Sequence, residues 1–199
     1  MARFASVADR DSVEREMDYG ARDLPVTLYQ FLSQTRDAHP VRPAVSFQLL
    51  SGPTDPAITL TWSELMAEVT RTANLLRKLG VGEGDVVAYL LPNTLETVAT
   101  LLGGAVAGIV NPINPLLEAE QIAAILRETK AKVLVTLKAF PKTDIAQKAA
   151  KAVANAPSVK TVLEIDLNRY LTPPKKWIVP FIRPNAEVPP NARVLSCGH

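Results

Sequence analysis

The stretch GDVVAYLLPNTLETVATLLGGAVAGIVNP, residues 84–112, decides the fold. It opens on VVAYLL, a continuous apolar run of the kind found in strands covered on both sheet faces. Residues 94–109 then read as a helix, and residues 110–113 as an extended piece. From Val98 to Val110 the chain runs 13 residues with only Thr100 breaking its apolar-or-glycine character. A bilayer span needs about 20 apolar residues. Glu96 closes one end of the run and Asn111-Pro112 the other, so the segment reads as a buried core helix. Gly103, Gly104 and Gly108 lower its helix propensity. Close approach to a sheet or a second helix is the expected compensation.

Working outward, TWSELMAEVTRTANLLRKLG (61–80) reads as a helix. Thr61 and Glu64 are spaced as a capping box. Leu65, Val69, Leu75, Leu76 and Leu79 follow an approximate helical period, and Arg77 and Lys78 suit the negative end of the helix dipole. Gly80 is a candidate left-handed stop. Residues 27–40 give an earlier helix, with His39 at its end. PAVSFQLL and AITLT flank the turn SGPTDP and form a small hairpin. Downstream, LEAEQIAAILRETKA and KTDIAQKAAKAVANA read as helices, and KVLVTL and VKTVLEI as strands. Strands alternating with helices of this length predict parallel βαβ units. The expected fold is α/β, with three layers and a mostly parallel sheet flanked by helices. Its expected divisions are a polar, mobile arm at 1–23, the α/β lobe at 24–166, and a proline-rich tail at 167–199. Six prolines, at 173, 174, 180, 184, 189 and 190, break helix and sheet patterns in that tail.

The composition, with 47% hydrophobic and 21% charged residues, supports a sizeable core. The single cysteine, Cys197, excludes an internal disulfide framework and a cysteine-based zinc site. No signal-peptide core opens the chain, and the protein is read as cytoplasmic. Net charge is +2 but unevenly spread. Residues 1–129 hold ten Lys/Arg against sixteen Asp/Glu, while residues 130–183 hold eleven against three. Such asymmetry can mark a surface for an anionic partner, although solvated helix faces account for it as well. Aromatic residues are 6% and do not interleave with basic ones, so no nucleic-acid partner is expected.

GVGEG (80–84) is not a dinucleotide loop, because a helix precedes it and a strand follows it, the reverse of that fingerprint. NPINP (111–115) is a rigid exit from the sheet. It can be a plain turn or, at a strand end, part of a ligand wall. His39, His199 and Cys197 make no metal site, and no nucleophile motif, paired carboxylates or glycine-rich phosphate loop with Lys and Ser/Thr is present. PPKKWIVPFIRP (173–184) mixes basic and bulky apolar residues. It can make a peripheral membrane contact, or pack Trp177, Ile178, Phe181 and Ile182 on the protein's own surface. Pro180 and Pro184 spoil an amphipathic helix and favour the second reading.

Three segments, in this order, carry a family resemblance. LTWSEL (60–65) resembles an L-T-Y-x-E-L motif, with Trp62 in place of tyrosine. GVGEGDVVAYLLPNTLE (80–96) resembles the stretch that follows it. LLGGAVAGIVNPINP (101–115) is similar to a helix ending in K-A-G-A followed by V-P-L-N/D-P, with Gly103 in place of the common lysine. Across residues 24–165 the chain thus resembles the N-terminal part of adenylate-forming acyl-CoA synthetases, the AMP-binding superfamily of luciferases and peptide-synthetase adenylation domains.

The resemblance implies a complete enzyme that activates a carboxylic acid, in the fatty-acid direction, with ATP and magnesium to an acyl-adenylate, then passes it to CoA. The implied phosphate loop, ribose-binding acid and lid lysine all fall downstream of the matched stretch. No catalytic residue and no metal ligand can therefore be carried over, and the chain alone is expected to be inactive. Asn93, Asn111 and Asn114 are the implied candidates for the acyl-pocket wall. The implied partner is the missing C-terminal part, and the isolated lobe is expected to self-associate through exposed apolar surface. The rival reading is a stand-alone, non-catalytic α/β binding or interaction module.

Overall fold

A computed structural model describes residues 6–50, 52, 55–187, 189–190 and 192–196. Cys197 and His199, and Ser51, Pro53 and Thr54 of the expected hairpin turn, lie outside the described residues.

Helices α1 (Val7–Glu16) and α2 (Leu28–Ala38) come first, followed by an antiparallel hairpin of β1 (Pro43–Phe47) and β2 (Ile58–Thr61). Then come α3 (Trp62–Lys78), β3 (Val86–Leu90), α4 (Leu95–Ala107), β4 (Ile109–Pro112), α5 (Ala119–Glu128), β5 (Val133–Leu137), α6 (Ile145–Ala154) and β6 (Thr161–Ile165). A short α7 (Lys175–Ile178) and β7 (Arg193–Ser196) end the order. Strands β3 to β7 form one five-stranded sheet in the order β4-β3-β5-β6-β7, and every pairing is parallel. The expected α/β architecture with its hairpin is therefore present.

The strand order puts helices on both faces. The step from β3 through α4 to β4 moves one way along the sheet, and the step from β4 through α5 to β5 moves the other. Right-handed crossovers then place α4 and α5 on opposite faces. α3 packs against α4, and α5 against α6, which completes the outer layers. Every residue of β5 is buried, as its mostly apolar sequence favours. Thr136 is the one polar residue in that strand, and its hydroxyl donates to the Leu90 carbonyl at 3.3 Å.

Glycine lets α3 and α4 cross at close range. A Cβ on Gly103 would lie 2.7 Å from Thr72 Cβ and 2.9 Å from the Val69 carbonyl oxygen. One on Gly108 would lie 2.6 Å from the Asp85 carbonyl oxygen, so the end of α4 rests on the 82–85 turn. Gly104 is less tightly held, with Val110 as its neighbour at 3.2 Å. At the start of α3, Thr61 accepts from the Glu64 N–H and Glu64 from the Thr61 N–H, completing the expected box.

The stops of α3 and α5 share one geometry. Gly80 takes φ +83°, with its N–H on the Arg77 carbonyl and that of Val81 on Leu76. Lys130 takes φ +52°, with its N–H on Arg127 and that of Ala131 on Leu126. Lys132 then ties the two stops together, donating through Nζ to the Gly80 carbonyl at 2.5 Å and to Asp85 Oδ2 at 2.9 Å.

Two expectations differ from the structure. The N-terminal arm contains α1, started by a capping box between Ser6 and Asp9, although no residue of that helix is buried. The proline-rich tail does not leave the sheet: Arg193–Ser196 pairs with Thr161–Glu164 as the fifth strand. Its last two prolines, at 189 and 190, sit before that strand, where they do not cost a ladder hydrogen bond.

Gly103→Val should cost roughly 1–3 kcal/mol in urea unfolding, because the new side chain meets backbone that cannot move aside. Gly84→Ala is the control, since an added Cβ there meets nothing within 4 Å. Lys130→Gly should stabilise by about 1 kcal/mol by relieving the left-handed lysine, while Gly80→Ala should lose a similar amount.

Candidate functional site

In an open parallel sheet, ligands approach the carboxyl ends of the strands, where the winding direction switches. Here that switch lies between β3 and β5. β3 leaves through Leu91-Pro92-Asn93 into the N-terminus of α4. Thr94 caps that helix through a box with Thr97, whose hydroxyl also donates to the Pro92 carbonyl. The turn out of β3 is therefore held tightly against the helix it feeds. β5 leaves through Lys138-Ala139-Phe140, and β6 through Asp166.

Asn93 is exposed at the β3 exit, and Asn114 is exposed just beyond β4. The Asn114 side-chain oxygen accepts the Leu116 N–H at 3.0 Å, an Asx turn that stiffens NPINP. Asn111 is half-buried within β4, in register with Ala88 of β3. Adjacent strands thus bring Asn93 and Asn114 to one edge of the sheet, with Asn111 inside the neighbouring strand.

A set of polar links behind this edge was not anticipated. Glu96, in the first turn of α4, accepts from Arg169 Nη1 at 2.8 Å and from the Tyr170 hydroxyl at 2.6 Å. Burial first, and then the Glu96 carboxylate, push the Tyr170 phenol well above its ordinary range. Its ring meets Phe47 of the hairpin edge-on, 4.8 Å between centroids. Arg183 reaches both Asp166 carboxyl oxygens at 2.8 Å and donates to the Ala139 carbonyl at 2.9 Å. On β6, Glu164 has its carboxyl pushed up by burial, against the opposing pull of Lys138 and Arg183. Sequence spacing gives no signal for these contacts, because the partners lie up to 74 residues apart.

A cavity of about 430 Å³ opens on the α3/α4 face of the sheet. Val135, Leu163, Ile165 and Leu195 form its floor, with α3, the start of α4 and hairpin residues Ile58 and Leu60 as walls. Glu68, Arg71, Glu96 and Arg169 stand among the lining, and two ion pairs link them: Arg71–Glu68 at 2.6 Å and Arg169–Glu96 at 2.8 Å. None of the three asparagines lines this cavity. Among the described residues no group of three His, Cys, Asp or Glu could hold a metal ion. Among the same residues no helix is long and apolar enough to cross a membrane.

In residues 173–184, Val179 is buried, but Trp177, Ile178, Phe181 and Ile182 are exposed. The preferred reading, in which these four pack on the protein's own surface, is corrected: the apolar side chains face outward.

Fold and edge together define a doubly wound α/β lobe whose winding switches between β3 and β5. The chain belongs to the AMP-binding enzyme family, whose model matches residues 32–193. It is similar to the marinolic acid–CoA ligase of Pseudoalteromonas sp., 36% identical over 107 residues that make up 53% of this chain and 16% of that one. It is also similar to the probable acyl-activating enzyme 12, peroxisomal, of Arabidopsis thaliana, 33% identical over 60% of this chain and 20% of that one. The chain thus spans a fifth or less of these relatives. The crystal structure of the anthranilate CoA ligase AuaEII in complex with anthranoyl-AMP shares the fold, with a TM-score of 0.59 at 23% identity over 72% of this chain and 26% of that one.

Tyr170→Phe should cost about 1–2 kcal/mol, since it strips a partly buried carboxylate of a donor. It should also remove a late-ionising phenol from the alkaline absorbance titration, leaving that of Tyr89, which burial raises as well. The sign follows from the raised folded-state value. The neutral phenol's contribution is complete below the ordinary tyrosine range near pH ~10 and is lost as pH rises through the folded value.

Proposed function

We propose that this chain is the N-terminal lobe of a carboxylic-acid–CoA ligase. The complete enzyme joins a carboxylic acid to ATP, releasing pyrophosphate, and then moves the acyl group to CoA, releasing AMP. ATP, magnesium and CoA belong to that complete enzyme. The match to the AMP-binding family over residues 32–193, on a chain spanning a fifth or less of its ligase relatives, carries this reading.

The lobe's contribution is scaffold and wall. The tightly held β3 exit presents Asn93, and the Asx turn after β4 presents Asn114; both, with Asn111, are proposed to border the acyl group. The fatty-acid direction rests on the sequence resemblance alone, as does the cytoplasmic setting. Uneven cover of the sheet supports a missing partner segment. α5 and α6 cover one face, while on the other a cavity of about 430 Å³ opens beside β6 and β7, with Leu163, Ile165 and Leu195 in its lining. The rest of the enzyme is proposed to close that cavity. Self-association of the isolated lobe is proposed through its exposed apolar side chains, Val26, Val41 and Leu116 among them.

ATP–pyrophosphate exchange tests the reading. The 199-residue chain should show no acid-dependent exchange with any carboxylic acid. Exchange should appear when the downstream coding region is restored. Robust turnover by the chain alone overturns the lobe assignment, and a native stop codon after residue 199 would favour the stand-alone module. In the restored enzyme, alanine at Asn93, Asn111 and Asn114 should change the ratio of kcat/KM between short and long acids. An unchanged ratio removes the wall assignment.

A further inference from the structure

Residues 173–184 have no part in the proposed ligase chemistry, and their geometry calls for an explanation of its own. The segment is anchored at several points. Arg183 holds Asp166 and the Ala139 carbonyl, Asn168 Nδ2 donates to the Lys176 carbonyl at 3.1 Å, and Val179 is buried. The remaining apolar side chains point into water: Trp177 is 66% exposed, Ile178 50%, Phe181 89% and Ile182 57%. A chain that can bury Val179 and fix Arg183 could have turned these residues inward. Holding four of them outward on one short turn makes a compact apolar knob.

The charge beside the knob identifies what covers it. Lys175 and Lys176 are exposed on the same turn and form no ion pair among the described residues. The acids close by are already engaged: Asp166 is taken by Arg183, and Glu164 is half-buried facing Lys138 and Arg183. The surroundings are basic too, since residues 130–183 carry eleven Lys/Arg against three Asp/Glu. An apolar partner surface would have no use for the free ammonium groups. An anionic bilayer uses both parts, with rings and aliphatic chains entering at headgroup depth and lysines meeting lipid phosphates.

We propose that residues 175–182 dock the chain on the surface of an anionic lipid bilayer. Trp177, Ile178, Phe181 and Ile182 enter the interface, and Lys175 and Lys176 contact the lipid phosphates. Pro180 and the four-residue length of α7 make this a rigid knob rather than a long amphipathic helix. The proposal is independent of the ligase reading.

Co-sedimentation with vesicles tests it. The chain should bind phosphatidylcholine vesicles containing phosphatidylglycerol and be released by high salt. Trp177 emission should shift to the blue on binding, and Trp177→Phe should abolish that shift. The double variant Trp177→Ala/Phe181→Ala should bind roughly tenfold more weakly or worse. Lys175→Gln and Lys176→Gln should each weaken binding about fivefold. All these side chains are exposed, so thermal melts should match the parent chain. The proposal is overturned if the vesicles do not bind, if pure phosphatidylcholine binds equally, or if the variants bind like the parent. It is also overturned if light scattering shows an oligomer that the double variant dissolves, which assigns the knob to a second copy. Shielding of Trp177 from acrylamide in a longer polypeptide without lipid would assign it to the downstream segment instead.

Discussion

The close crossing of α3 and α4 is the contact on which the rest of the lobe depends. At Gly103 the two backbones are near enough that a single methyl group would strike the Val69 carbonyl. At Gly108 the same helix rests on the turn that leads into β3. α4 is thus held by a neighbouring helix along its length and by a loop at its end. Those two holds fix β3 and β4 relative to each other, because α4 is the connection between them. They also fix the β3 exit, since Thr94 and Thr97 tie residues 92–94 to the first turn of α4. Glycine weakens the isolated helix, and the packed pair recovers that loss in dispersion and burial.

A second layer of control comes from partly buried ion pairs. Glu96 collects Arg169 and Tyr170 from the segment after β6, and Asp166 collects Arg183. Exposed ion pairs contribute little to stability. These carboxylates are different because Glu96 accepts two and Asp166 three hydrogen bonds from a segment with little regular structure. Their effect is to dictate where that segment runs. It passes Phe47 of the hairpin, crosses beneath the carboxyl ends of β5 and β6, and returns to the sheet as β7.

Much of this architecture is legible in the sequence, and the legible part has a common cause. Periodicity and local chemistry locate an element when its own residues stabilise it. Thr61 with Glu64, the apolar VVAYL run, the full burial pattern of VLVTL and the stop at Gly80 all announce themselves within a few residues. β7 did not, because RVLS is four residues long and follows two prolines. It becomes a strand only when β6 offers a ladder, which is tertiary context overriding local signal. α1 escaped for the opposite reason: its Ser6–Asp9 cap is local, but without any buried face it gives no amphipathic period. The asparagines at the sheet edge could be chosen from motif resemblance, while the Glu96–Arg169–Tyr170 contacts could not. Sequence carries no distance information between residues 73 or 74 apart.

The sheet's two faces give the lobe its functional asymmetry. On one, α5 and α6 close the layer. On the other, α3 and α4 stand over the β3 side of the sheet, and a cavity opens beyond them, with the buried Leu163 and Ile165 and the partly buried Leu195 in its lining. Its walls are ordered by ion pairs along α3 and α4, so the opening has a defined shape. A defined apolar opening next to a stiffened carboxyl edge suits a lobe whose chemistry is completed by another part of the same enzyme. The outward knob at Trp177 and Phe181 lies further along the segment that carries the cavity-lining Arg169, and it is fixed by its own anchors, Arg183 and the buried Val179.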